Sequence, residues 1–431
     1  MTAFLCRIIF ILTVAGVFVV SGLGIDASTS ASELGDWMYD RYETELFGFM
    51  EARQGWRLQN DPVEEDETIS EARFQLDLSK EFEWGIAKFK GDLVGDRVLN
   101  EVRGELRELN LSFSPADFMD VKAGRQIQTW GTGDLLFIND LFPKDWESFF
   151  IGRDDEYLKA PSDSIRISLF SDPVNVDLSY SPLFNGSNYI DGSRLSYWNG
   201  ARIAGREDTF NDDERNRVFR DDEISIRVSK TINGLELALY GYNGFWQTPE
   251  GLNPVTGKGI YPGLRSAGGS LRASVLGGIG YSEAGYYDSH QDTDGDDPFI
   301  RNSEVRFLAG YERELARNLT GGLQYYLEWM LDYSEYESSL LPGAVQKDEE
   351  RHVLTLRLTR LMMNQNLKVS VFVYYSPSDQ DAYFRPKIHY KVSDRWSVEA
   401  GGNIYTGQDD HTFFAQFEDN TNAYAGTRYS F

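Results

Sequence analysis

The last eleven residues of the chain, 421–431, constrain its fold more than any other segment. Alternate residues are mostly apolar, and this face comprises Ala423, Ala425, Thr427, Tyr429 and Phe431. The opposite face is mostly polar, and this period of two is typical of a β-strand. A terminal strand usually frays in water. An aromatic last residue within a strand therefore indicates pairing, as when the final strand closes a barrel wall. The alternative is an ordinary terminal strand of a soluble sheet.

The N-terminus has the pattern of a secretory signal peptide. Arg7 precedes an apolar run from Ile8 to Val20, which is short for a transmembrane helix and suits a signal core. Small residues follow, so we predict a signal peptide over residues 1–24, with cleavage as late as residue 31. The single cysteine, Cys6, would leave with the signal. The mature chain would then have neither disulfides nor thiol chemistry.

Strand-like segments recur from about residue 43 to the C-terminus, and short turns alternate with long polar loops between them. Asn233-Gly234 is the most specific turn signal, because both residues tolerate the positive φ that a two-residue hairpin needs. The longest loops span 131–161 and 183–220. These features predict an all-β fold, a transmembrane antiparallel β-barrel of about 18 strands, with 16 as the alternative. The barrel would span 43–431, and residues 25–42 would form a short periplasmic segment.

Two places depart from strict alternation, and a proline marks a third irregularity. In 101–114 the charged parity becomes the apolar parity, which a bulge near Glu108 would repair. In 118–130, Arg125 shares its parity with Val121, so either a bulge lies there or the assumed register is wrong. Pro386 falls on the apolar face of 381–392 and lacks a ladder donor, which predicts a third bulge.

Charge is unevenly distributed along the chain. The formal net charge of −26 argues against nucleic-acid binding, and the acidic excess falls largely in predicted exterior loops. Asp292, Asp294 and Asp296 alternate around a glycine, which makes them a weak Ca²⁺ candidate without the spacing of an EF-hand. The alternative is a solvated loop. No motif indicates a cofactor.

Basic residues recur on the predicted inner face of the barrel. One interpretation is a lining that attracts anionic solutes. The other is that these residues pair with inner carboxylates (Glu101, Glu105, Asp177, Glu304 and Glu399) and brace the wall. The candidate lining arginines are Arg103, Arg107, Arg166, Arg227, Arg272, Arg306, Arg357, Arg385 and Arg428.

The segments 124–134 (GRQIQTWGTGD) and 139–145 (NDLFPKD) are the most distinctive internal stretch. They resemble outer-membrane channels of the alginate-exporter-like and related porin groups, and the terminus at Phe431 resembles the last strand of Gram-negative outer-membrane barrels. The resemblance implies a loop folded into the lumen, with Arg125, Gln126, Trp130 and Asp134 near the constriction. The alternative is a rim loop packed on the wall. Outer-membrane lipid, lipopolysaccharide and the barrel-assembly machinery, through Phe431, are the implied partners.

These observations predict a non-enzymatic, porin-like channel in the outer membrane of a Gram-negative bacterium. It would pass small solutes by diffusion, either anionic or sugar-like. Trp130, Tyr197, Trp198, Tyr240 and Trp246 could stack on sugar rings, or could simply pack in girdles and loops. A non-conducting barrel that serves as a surface scaffold or adhesion partner is the alternative. The absence of a nucleophile–histidine or metal motif argues against an enzyme.

Overall fold

The computed structural model describes residues 31–431, so the predicted signal peptide and the start of the predicted periplasmic segment lie outside the described residues. A helix, α1 (Ala31–Tyr42), leads into a sheet of 18 antiparallel strands. The barrel strands are β1 (Thr44–Arg57), β2 (Glu67–Phe82), β3 (Gly85–Asp96), β4 (Glu101–Ala116), β5 (Met119–Gln126), β6 (Ser162–Leu169), β7 (Asn175–Ser181), β10 (Glu223–Ile232), β11 (Leu235–Phe245), β14 (Gly263–Val275), β15 (Gly278–Asp288), β16 (Glu304–Ala316), β17 (Leu319–Met330), β18 (Glu350–Met362), β19 (Leu367–Ser376), β20 (Asp381–Lys391), β21 (Trp396–Thr406) and β22 (Asn422–Ser430).

The sheet closes on itself. Each barrel strand pairs with its neighbours along the chain, and β1 pairs with both β2 and β22, from Phe49 opposite Ser430 to Arg57 opposite Asn422. A closed ladder leaves no open edge with unpaired N–H and C=O groups. The predicted barrel and its 18 strands are therefore confirmed.

The connections differ between the two ends of the barrel. At the turn end, tight turns such as Asn233-Gly234 join the strands, and both of these residues have positive φ. At the loop end, the longest connections span 127–161 and 182–222. We call residues 127–161 the internal loop. The other loops carry two short hairpins, β8 (Tyr197–Trp198) with β9 (Ile203–Ala204) and β12 (Gly251–Leu252) with β13 (Gly259–Ile260).

Short helices lie in the loops. The internal loop holds α2 (Trp146–Ile151) and a 3₁₀ turn, Asp155–Leu158; the loop after β17 holds α3 (Tyr333–Ser339), and a second 3₁₀ turn, Ala415–Asn420, precedes β22. Among the described residues, no helix is long and apolar enough to cross a membrane.

The outer and inner faces of the wall differ in chemistry. Outward side chains are apolar and exposed, as in Leu239, Leu323 and Leu109, whereas inward positions such as Glu51 and Arg53 are charged and buried. A slip of one residue in any strand would exchange the two faces, so the alternation fixes the register.

Two of the three predicted irregularities are settled by the strand pairing. Lys90 lies opposite Glu108 and Gly91 opposite Leu106, so Arg107 is the extra residue of a bulge. This confirms the prediction near Glu108. The bulge predicted at Pro386 is wrong. The β20–β21 register is the same before and after this residue, and Val371 of β19 lies directly opposite it. Pro386 points outward and lacks only a backbone N–H, so the β20–β21 pairing is interrupted there without an inserted residue.

Candidate functional site

The first half of the internal loop is held to the wall by one buried carboxylate. Glu283 on β15 accepts hydrogen bonds from the backbone N–H groups of Thr132, Gly133 (2.8 Å) and Asn139 (3.3 Å), and from the Asn139 side chain (3.0 Å). Its side chain is 2% exposed. A carboxylate buried without ionic partners needs several donors to offset the lost hydration, and the folded loop supplies them.

The tip of the internal loop is bound to β17, β18 and β19. Gln324 on β17 accepts from the N–H of Asp134 (2.8 Å) and donates to its carbonyl (2.9 Å). The guanidinium of Arg357 on β18 forms a two-pronged ion pair with the Asp134 carboxylate, with one bond at 2.7 Å. The Tyr374 hydroxyl on β19 donates to Leu135. The tip is therefore seated against the wall inside the barrel.

Helix α2 packs its aromatic residues against the wall of β19–β21. Asp145 caps the helix by accepting from the N–H of Ser148 (2.8 Å), and Gly152 ends it in a left-handed conformation at φ 85°. Phe149 and Phe150 are buried against Tyr374, Tyr383 and Tyr405. The loop thereby gains an apolar core of its own within the polar interior.

The last part of the internal loop bonds to β1–β4. Arg153 is buried and forms an ion pair with Glu71 on β2, where Nε lies 3.1 Å from the carboxylate. Glu147 and Asp145 also lie within 4 Å of this guanidinium group. The surrounding carboxylates offset the cost of burying its charge. Tyr157 donates to Asp92 (3.0 Å) and lies between the guanidinium groups of Arg73 (4.2 Å) and Arg107 (4.6 Å).

Most of the predicted lining arginines hold the internal loop or pair within the wall. Arg107 donates to two loop carbonyls, Arg385 pairs with Asp155, and Arg428 contacts Asp154, Glu156 and Glu51. Arg306 pairs with Glu304, and Arg103 pairs with Glu101, Glu105 and Asp96. The pairing interpretation therefore describes this side of the barrel, and the internal loop supplies carboxylates that the sequence did not assign to it.

The opposite arc of the wall, β5–β7, β10, β11 and β14, faces a cavity of about 1180 Å³ that extends to the turn end. Arg166 and Arg227 flank Asp177 there, at 2.8 and 3.8 Å. Arg272 on β14 also lines the cavity, and no carboxylate of the described residues lies within 4 Å of its guanidinium group. Lys122 on β5 adds a fourth basic group and lies 3.5 Å from Glu108 of β4. The cavity is also lined, near its turn end, by Lys230 and by the carboxylates Glu81, Glu83, Asp120 and Glu236.

Two residues predicted near the constriction are placed elsewhere. Arg125 lies opposite Asp163 on β6, a position on the outward parity, and pairs with it at 3.2 Å. Its predicted place in the lumen is therefore wrong, because no bulge in β5 moves it inward. Gln126 is buried and donates to Ser164 and Lys122 carbonyls, so it closes the end of β5. Trp130 and Asp134 do lie in the loop within the barrel.

The predicted Ca²⁺ candidate also differs from the structure. The Asp292 carboxylate accepts from the N–H groups of Asp296 and Asp297, so it shapes the loop itself. Within residues 31–431, no three histidine, cysteine or carboxylate side chains are grouped as a metal site would require.

Residues that the sequence analysis did not single out carry much of the site. Glu283, Gln324 and Tyr374 hold the loop tip, and their only signal was a polar or aromatic residue at an inward position of a strand. Such positions are polar throughout the barrel, so parity alone could not separate the three from their neighbours.

Comparisons with known proteins bear on the fold. No family model matches the chain, and no curated protein matches it. Among solved structures, OccAB3 of Acinetobacter baumannii aligns with a TM-score of 0.55 at 10% identity, over 90% of this chain and 99% of that one. Salmonella typhi OmpF, solved with daunomycin, gives 0.46 at 10% identity over 90% and 97%, and a mutant Rh. blastica porin gives 0.38 at 13% over 90% and 100%. The likeness to OccAB3 shows that the chain has the closed-barrel fold.

Proposed function

We propose that the protein is a channel of the Gram-negative outer membrane that passes small hydrophilic solutes, with a preference for anions. The observation that carries the proposal is the division of the inner wall into two arcs. The internal loop packs on β15–β22 and on β1–β4, whereas the cavity lies along β5–β14 and reaches the turn ends of β2–β4. A closed barrel of this size holds water where no loop fills it.

The outer surface supports the location in a membrane. Leu239 is 67% exposed and Leu323 58% exposed, each on the outward face of a strand. Large exposed apolar surfaces are unfavourable in water and favourable against lipid. The turn end would then face the periplasm and the loop end the exterior.

The preference for anions rests on the open arc. Arg166, Arg227, Arg272 and Lys122 line one side of a single cavity. Basic groups along a narrow water-filled path raise the local concentration of anions and lower the cost of removing their hydration shell. Trp130 and Trp246 are buried among other rings, so the stacking of sugar rings on these two side chains has less support.

Planar-bilayer recording tests the channel. The purified barrel should give discrete conductance steps, and a variant with a loosened loop tip, Asp134→Ala with Glu283→Gln, should give larger ones because two anchors of the tip are lost. Folding is checked by the shift in gel mobility between heated and unheated samples. Silent bilayers with both folded proteins would contradict the channel and favour the surface scaffold.

A further inference from the structure

Two cavities are stacked along the open arc. The large cavity is lined by Ser229 on β10, Ala238 on β11 and Arg272 on β14. Nearer the loop end, a void of about 10 Å³, the size of one water, is lined by Ser225, Tyr242 and Ser266 of the same three strands. The inner faces of these strands therefore follow one axial path with a narrow point between the two cavities.

Three aromatic rings occupy that narrow point. Tyr240 of β11 lines both cavities. Trp130 of the internal loop lies 6.1 Å from the Tyr240 ring and 4.9 Å from the ring of Phe142, centroid to centroid. Trp130 is only 9% exposed. The indole N–H of Trp130 has no hydrogen-bond acceptor among the described residues, so the ring makes its contacts at the narrow point through packing.

We propose that Trp130, Phe142 and Tyr240 form an aromatic gate that closes the cavity toward the loop end. The inference rests on the proposed channel and names the residues that limit its passage. Apolar rings at a narrow point exclude water, and ions do not cross a dry segment. Two of the three rings belong to the internal loop, so a change in the side-chain conformations of Trp130 and Phe142 opens the path without any change in the barrel wall.

The neighbouring contacts show how such a shift is limited. Thr129 donates to Asp140 (2.7 Å), and Lys144 binds the same carboxylate (3.0 Å). Gly131 follows Trp130 with φ at 83°, a conformation that glycine adopts without strain. Thr132 and Gly133 are bound to Glu283. Trp130 and Gly131 therefore lie between two anchored segments, and the ring of Trp130 packs on Phe142 and Tyr240.

Cysteine labelling tests the gate independently of conductance. In a Cys6→Ser background, Ser229→Cys places one thiol in the large cavity. Proteoliposomes are treated with the anionic reagent 2-sulfonatoethyl methanethiosulfonate from either side. Val255→Cys, at a loop position 92% exposed, reports which molecules have the loop end outward.

The Ser229→Cys thiol should react from the turn end, and at least roughly tenfold more slowly from the loop end. Adding Trp130→Ala or Phe142→Ala should raise the loop-end rate on the order of tenfold. Phe184→Ala, which removes a buried ring packed on Phe245 and Tyr261, is the matched control and should leave the rate unchanged.

Equal rates from both ends in the parent would overturn the gate, as would unchanged loop-end rates in both ring variants. These outcomes differ from failure of the channel itself. If the bilayers are silent, but Ser229→Cys is labelled from the turn end only and Trp130→Ala restores labelling from the loop end, the gate exists and the proposed transport is wrong. If conductance is present and labelling is symmetric, the transport stands and the gate is wrong.

Discussion

At the scale of single residues, some arginines of this barrel hold the internal loop in place, whereas others line the cavity. Arg385 stacks on Phe149 at 3.8 Å and reaches Asp155, and Arg53 pairs with Glu399 (2.8 Å) while donating to the Gly152 carbonyl (2.6 Å). The planar guanidinium group suits such combined contacts, which an ammonium group cannot reproduce. A buried ion pair stabilises little relative to apolar packing, but removing one partner is costly. These residues therefore fix the path of the loop.

Asp221 provides a test of this kind of pairing outside the barrel strands. It accepts from the Arg217 side chain (2.9 Å) and backbone (2.9 Å) and from Arg215 (3.2 Å). The hydrogen bonds from Arg217, assisted by its charge, lower the pKa of the Asp221 carboxyl from 3.8 to about 2. A depressed folded-state pKa stabilises the loop above the ordinary pKa, and this contribution is lost as the pH falls toward 2.

We expect Asp221→Asn to speed pepsin cleavage of the loop 182–222 at about pH 5, and the ratio to wild type to approach one near pH 2. Comparing the two proteins at each pH cancels the pH dependence of the protease. Asp213→Asn is the control, because its exposed pair with Lys258 contributes little. A ratio that stays constant over this range would show that Asp221 is not held by its charge.

At the scale of elements, the strands were predictable and the path of the internal loop was not. Alternation is local, so segments such as 367–376 show their two faces in ten residues. The loop path depends on pairs such as Thr132 with Glu283, which are 151 positions apart. No local pattern in the sequence predicts such a pair. Helix α2 has six residues, which is fewer than two turns, so the sequence is too short there to show the repeat of about 3.6 residues that indicates a helix. The bulge at Arg107 was predictable because it leaves a parity change in the sequence.

Docking of α2 depends on Gly152, and a matched glycine isolates the reason. Gly152 and Gly200 both have positive φ, at 85° and 96°. A Cβ at Gly152 would meet the Tyr424 ring, and at Gly200 it would meet nothing within 4 Å. Alanine costs about 1–2 kcal/mol in this conformation at either site, and overpacking adds about 1–3 kcal/mol at Gly152 alone.

Gly152→Ala should therefore lower the temperature at which the folded gel band is lost, and should do so more than Gly200→Ala. The strain in Gly200→Ala falls on an exposed loop that opens without the barrel. Equal effects of the two substitutions would mean that α2 does not press on the Tyr424 wall.

At the scale of the whole molecule, the barrel carries its charge in two regions with different physical consequences. On the covered arc the charges are buried in pairs, so they add rigidity and little potential. On the open arc the arginines line a cavity, and no carboxylate of the described residues lies within 4 Å of the guanidinium group of Arg272. A chain with a formal net charge of −26 thus places basic groups along an interior path, and most of the carboxylates of that cavity lie near its turn end.

Substituting one arginine from each region separates the effect on permeation from the effect on stability. Arg272 lines the cavity, so Arg272→Ala should lower the anion-to-cation permeability ratio, read from the reversal potential in a salt gradient, and should leave the melting temperature unchanged. Arg306 is half-buried, pairs with Glu304 and stacks on Tyr287 at 4.2 Å. Arg306→Ala removes one of the two arginines that pair with the buried Glu304 carboxylate, and Arg301 remains at 2.9 Å. Losing part of a buried ion-pair network is destabilising, so this substitution should mainly lower the melting temperature. The cavity controls permeation only if the shift in reversal potential is the larger in Arg272→Ala. An unchanged reversal potential in that variant would place the selectivity elsewhere and remove the basic arc from the mechanism.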